Sequence, residues 1–169
     1  MNRRELLQGA GAAGLTAVLS AADAPVTVRA FEPGGAPAAV NWLKSLLCIQ
    51  PNGRPFEILP KPKGDGSATV AAPDGKFEMM MLLPVRDFGQ VYLYADNAGT
   101  GYAAGSLSGE VLLNHEFARS RVAFVRRYVK AAETAGVSFS PELNERLKRG
   151  EAALERATAA KSPAERANH

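Results

Sequence analysis

"VYLYADNAGTGYAAG", residues 91–105, runs from a β-branched and aromatic stretch straight into a glycine-rich loop. Gly99, Gly101 and Gly105 are spaced G-x-G-x-x-x-G. A dinucleotide-binding unit opens in the same way. It then needs a helix N-terminus to hold phosphate and a second parallel strand bearing an acid about 20 residues on. Here Gly105 is followed by "SLSGE", which is more loop, then by helical text with no further strand pattern. The anion-binding helix terminus is therefore not assembled. The glycines read as turn residues, and the stretch as a strand leaving a sheet.

Upstream, the text from Pro25 to about Ala104 reads as β. "VTVRAF" (26–31) alternates apolar and polar residues, as a half-buried strand does. "NWLKSLLCIQ" (41–50) predicts a strand closed by the turn "PNGRP", and "FEIL" (56–59) a short strand. "SATVAA" (67–72), the turn "PDG" and "KFEMMMLLPV" (76–85) read as a hairpin. "FGQVYLYADN" (88–97) is the strongest strand. No helical period interrupts these segments, which argues against βαβ units.

Downstream the style changes. "EVLLNHEFARSRVAFVRRYVKAAETAG" (110–136) lacks proline, and lacks glycine until Gly136, which predicts a helix ended by a glycine cap. Phe117, Phe124 and Tyr128 share one face; Glu116, Arg119, Arg126, Arg127 and Lys130 lie on the other, which reads as solvated. Ser140 and Pro141 open a second helix with a Leu143, Leu147, Leu154 stripe. The expected fold class is mainly β: an antiparallel β-sandwich module over 25–107, then a C-terminal α-helical hairpin over 108–160 and a flexible tail, 161–169.

The first 24 residues read as an address. Arg3-Arg4 precede an apolar run of small residues from Gly9 to Leu19, then Ala-rich sequence, the layout of an export peptide of the twin-arginine type. Cleavage would fall after Ala24 or Ala22, with Ala22 favoured because Pro25 is an awkward first residue. The run falls short of the roughly 20 residues that span a bilayer. A periplasmic or secreted bacterial protein is expected.

The 169 residues are 46% hydrophobic and 22% charged, a globular composition, with a net charge of +3. Basic residues lie beside acids rather than in an aromatic-interleaved stripe, so nucleic acid is not the expected partner. The single cysteine, Cys48, sits in an apolar run and reads as a small buried hydrophobe. No Cys/His cluster suggests a metal, and no cofactor is expected.

Tyr92, Tyr94, Asp96, Asn97 and Tyr102, with Trp42 as the only tryptophan, form a candidate sugar-binding set. Rings stack on the apolar faces of pyranoses while amides and carboxylates take hydroxyls. Each also has a structural explanation: core or edge rings for the aromatics, an Asx turn for Asp96-Asn97. Catalytic groups are scarcer. His115 and Glu116 are neighbours expected to point to different helix faces, and no nucleophile motif occurs.

An export signal, a β-module containing "GQVYLYADNAGTGYA" and a helix "NHEFARSRVAFVRRYVKAAETAG" follow in order. Over residues 26–157 this resembles the region preceding the catalytic barrel in bacterial secreted family 10 glycoside hydrolases, the xylanase-type enzymes. "VYLYADN" and "FARSRVAFVRR" carry the resemblance. Those enzymes use two glutamates on a (β/α)₈ barrel of about 250 residues, and neither has a counterpart here. The resemblance implies a non-catalytic accessory part, with polysaccharide as ligand and a catalytic barrel or other protein docking on the hairpin. A self-standing exported interaction module and a small enzyme with an unrecognised site are the alternatives.

Overall fold

The computed structural model describes residues 25–168 apart from Ala104 and Ser108, and the export segment expected at 1–24 lies outside them. Alternation along Lys76–Val85 sets one sheet. Phe77, Met79, Met81 and Leu83 are buried there, while Glu78, Met80 and Leu82 are half-buried. In chain order the elements are β1 (Pro25–Arg29), α1 (Val40–Leu43), β2 (Leu47–Ile49), β3 (Lys61–Pro62), β4 (Ser67–Ala71), β5 (Lys76–Val85) and β6 (Gly89–Ala95). Then come β7 (Tyr102–Ala103), β8 (Glu110–Leu112), α2 (Leu113–Thr134), α3 (Pro141–Ala159) and α4 (Pro163–Asn168).

One sheet runs β3-β4-β1-β8; the other runs β2-β5-β6, with β7 pairing the start of β5. Both sheets, with Leu113 and Phe117 of α2, contribute to a single apolar core. The architecture is therefore a mixed α/β one: two sheets with antiparallel strands and C-terminal helices, where a mainly β chain was expected.

Four local expectations change, the first two because a long-range partner outweighs a local pattern. The "PDG" turn does not close a hairpin: β4 pairs β1 and β3, β5 pairs β2 and β6, and the turn carries the chain between sheets. Alternation fixes which face a strand buries, not which neighbour it takes. Glu110–Leu112 is a strand rather than the first turn of the helix. It runs parallel to β1, with Arg29 Nε donating to Glu110 Oε1 at 2.7 Å. "NWLKSLLCIQ" divides into the short helix α1 and strand β2. "FEIL" is no strand, since Pro55 and Pro60 bracket it, yet Phe56 and Ile58 still pack against the core.

The hairpin of helices forms as expected. Gly136, at φ +84°, lets Val137 N–H reach the Ala132 carbonyl and its own N–H reach that of Glu133, both at 2.9 Å. Ser140 Oγ caps α3 by accepting from Leu143 N–H at 3.3 Å. The tail is not frayed through its length. Ser162 Oγ accepts from Glu165 N–H and Glu165 Oε2 from Ser162 N–H, each at 3.2 Å, a reciprocal capping box that starts α4. Among the described residues no helix is long and apolar enough to cross a membrane.

Candidate functional site: a tyrosine groove and a polar pocket flanking α2

β6 is the edge of its sheet, and α2 lies beside it. The two are pinned together where Asp96 N–H donates to the buried Ser120 Oγ at 2.9 Å. Between them runs a groove of about 530 Å³. Tyr92 and Tyr94, 52% and 51% exposed, stand on one side of β6 because strand side chains alternate. Phe124 and Arg121 face them from α2, with the Arg121 guanidinium 5.5 Å from the Phe124 ring centre.

Two carboxylates close one end of the groove. Met79 pairs Ala95, so Glu78 and Asp96 come next and face each other across the β5–β6 ladder. Burial, with the neighbouring Asp96 charge, raises the Glu78 carboxyl above its usual pKa. Asp96 Oδ2 lies 3.6 Å from Arg127 Nη2, while Asp96 Oδ1 is buried without a hydrogen-bond partner among the described residues. A buried acceptor left unpaired costs about 1–3 kcal/mol.

The loop after β6 answers the glycine question by geometry. Asn97, Ala98, Gly99 and Gly101 all have positive φ, and the Asp96 carbonyl accepts from both Gly99 N–H and Gly101 N–H. A Cβ on Gly99 would come within 2.5 Å of Arg127, whose Nη1 donates to the Ala98 carbonyl. Gly99 admits an arginine where the chain turns, and the Gly99 and Gly101 N–H groups point into their own loop.

On the other side of α2 a polar pocket of about 320 Å³ collects side chains from the loop, β8, α2 and α4. Glu116 is its hub. Its Oε2 accepts from the Tyr102 hydroxyl at 2.5 Å and from Arg119 Nη2 at 2.6 Å. Arg119 Nη2 also donates to Asn97 Oδ1 at 2.6 Å, and Asn97 Nδ2 to the Gly101 carbonyl at 2.9 Å. Burial, then Glu116, drives the Tyr102 hydroxyl far above the usual phenol pKa.

His115 and Glu116 do not point apart: Nδ1 and Oε1 are 3.6 Å from each other, while His115 Nε2 lies 3.1 Å from Thr158 Oγ1 on α3. Adjacent helix positions splay by backbone direction, but both side chains here are long enough to curl into one pocket. The face read as solvated thus holds Glu116 and Arg119 in a half-buried network.

The six predicted residues therefore separate. Tyr92, Tyr94 and Asp96 share the groove. Asn97 and Tyr102 belong to the polar pocket, and Tyr102 is 2% exposed with its ring 5.8 Å from Phe77. Trp42 is half-buried against the core and lines neither cavity. Phe124, Arg121 and Glu78 were not singled out as binding residues. Only the i, i+7 spacing of Phe117 and Phe124 hinted at them, and it could not say that Phe117 is buried while Phe124 stays half exposed. Comparison with protein families, with curated proteins and with solved structures finds no significant match to this chain.

Proposed function

We propose that this chain is an exported, non-catalytic accessory module that holds a polysaccharide chain in the groove between β6 and α2. The observation that carries it is the pair Tyr92 and Tyr94, half exposed on one side of an edge strand. Their rings are spaced about 7 Å along the strand. Phe124 stands opposite, and the acceptors Glu78 and Asp96 sit at the end. Rings of this kind take the apolar faces of sugars, and carboxylates take their hydroxyls. The resemblance to the region before the barrel of xylanase-type glycoside hydrolases points to the same ligand class. The twin-arginine-like sequence at the N-terminus supports the reading, since export of that type takes a protein to where such polymers are met. In this reading the two sheets form a small sandwich to which the helical hairpin is fastened.

Titration of the protein with soluble xylo-, cello- and chito-oligosaccharides, followed by amide chemical shifts, tests it. At least one series should move the resonances of Tyr92, Tyr94 and Asp96, and Tyr92→Ala or Tyr94→Ala should weaken that binding at least tenfold. Binding unchanged in both variants would remove the groove from consideration.

A second reading, docking of a protein partner or catalytic barrel on the helical hairpin, is favoured by one observation. Tyr128 and Leu143 are half exposed or more, around an apolar hollow of about 480 Å³ between α2 and α3.

A further inference from the structure

The groove between β6 and α2 has a floor and two walls. Phe117 and Ser120 of α2 line it and are buried, so they form the floor. Tyr92 and Tyr94 rise on the β6 side and Phe124 on the α2 side, each about half exposed. Aromatic rings thus stand on opposite sides of a hollow rather than side by side on one plane. Along the strand the hollow extends from Val91 to Asp96, roughly 17 Å at the rise of a β-strand, which is longer than one sugar ring.

The walls are fixed relative to each other. Asp96 N–H donates to Ser120 Oγ at 2.9 Å, Arg127 Nη1 donates to the Ala98 carbonyl, and Arg127 Nη2 lies 3.6 Å from Asp96 Oδ2. These ties join the end of β6 to successive turns of α2. The hollow therefore keeps its depth without a ligand, and binding has little left to order. A flat crystalline face laid over it would meet only the rims. A single chain, freed from its neighbours, can enter between the walls and place apolar surface against the tyrosines on one side and Phe124 on the other. The Arg121 guanidinium, exposed and 5.5 Å from the Phe124 ring centre, offers donors to its hydroxyls, and Glu78 offers acceptors.

We propose that the groove takes one solvated polysaccharide chain between its walls, and not the flat face of a crystalline polymer. The inference rests on the glycan reading above and narrows the ligand to single chains, in solution or at the amorphous surface of an insoluble polymer.

Matched probes separate the two physical states of one polymer. They are microcrystalline and acid-swollen cellulose, crystalline and colloidal chitin, and the hexaoses and disaccharides of xylose, glucose and N-acetylglucosamine in solution. At least one hexaose should bind the protein one to one, at least tenfold more tightly than its disaccharide, and should release the protein from the insoluble polymer of the same sugar. Phe124→Ala should weaken that binding at least tenfold with the melting temperature unchanged, whereas on a flat platform made by Tyr92 and Tyr94 alone it would do nothing. Because release by the hexaose is read on the wild type, the result stands even if Phe124→Ala folds poorly. The inference is overturned if the protein is held on a crystalline polymer from which no hexaose releases it, if disaccharide and hexaose bind alike, or if a folded Phe124→Ala binds as the wild type does. The glycan reading survives each of those results. Absence of binding to every probe defeats that reading, and the inference with it.

Discussion

Tyr102 is held at both ends, its ring against Phe77 and its hydroxyl on Glu116. Tyr92 has neither restraint and keeps half its surface in solvent. The two should answer mutation differently. Tyr102→Phe removes a hydrogen bond to a charged group and should cost about 1.5–3 kcal/mol in urea unfolding. Tyr102→Ala should cost about 3–5 kcal/mol. Tyr92→Ala should stay within about 0.5 kcal/mol of wild type.

Cys48 supplies a second test at this scale. It is 2% exposed, and burial pushes its thiol up to about 11. The folded state therefore keeps a proton that the unfolded chain releases from its ordinary value of 9.0. Stability falls as pH rises from about 9 to about 11, by roughly 2 kcal/mol. Cys48→Ala should remove that part of the slope, and the native thiol should resist a thiol reagent at pH 8. A fully reactive native thiol would contradict its burial.

At the scale of elements, strong local codes and long-range pairing divide the fold. Ser140-Pro141 and Gly136 mark where α3 starts and α2 stops, and the hydrogen bonds at both places follow those residues. Ser140→Ala should cost about 1 kcal/mol and show as weaker hydrogen-exchange protection in the first turn of α3. The same code at Ser162-Pro163-Ala164-Glu165 was present in the sequence, hidden by the polar composition around it. β8 carried no readable code of its own. Val111 and Leu112 suit a helix as well as a strand, and only β1, more than eighty residues away, decides between them. The partition of β4 and β5 into different sheets was equally out of reach, because alternation is blind to partners.

The candidate site shows the same division on a larger scale. Tyr92, Tyr94 and Asp96 were legible because a strand's period of 2 puts them on one side without help from the rest of the molecule. Asn97 and Tyr102 follow closely in sequence, but the positive-φ turn at 97–101 swings them to the far side of α2. Phe124, Arg121 and Glu78 enter the groove from other elements, so no local pattern could gather them. At the scale of the whole molecule, α2 is the organising element. One side closes a groove with β6, and the other anchors the polar network through Glu116 and Arg119. Substitution of Tyr92 or Tyr94, which share no partner with Glu116 and Arg119, should therefore leave the cost of Tyr102→Phe in urea unfolding unchanged.

Co-sedimentation with insoluble xylan, cellulose and chitin tests whether the Tyr92–Tyr94 groove holds polysaccharide. The wild type should be retained on at least one polymer. The Tyr92→Ala/Tyr94→Ala double variant should stay in the supernatant, with unchanged circular dichroism and melting temperature. No retention on any of the three polymers, or equal retention of the folded double variant, would contradict it.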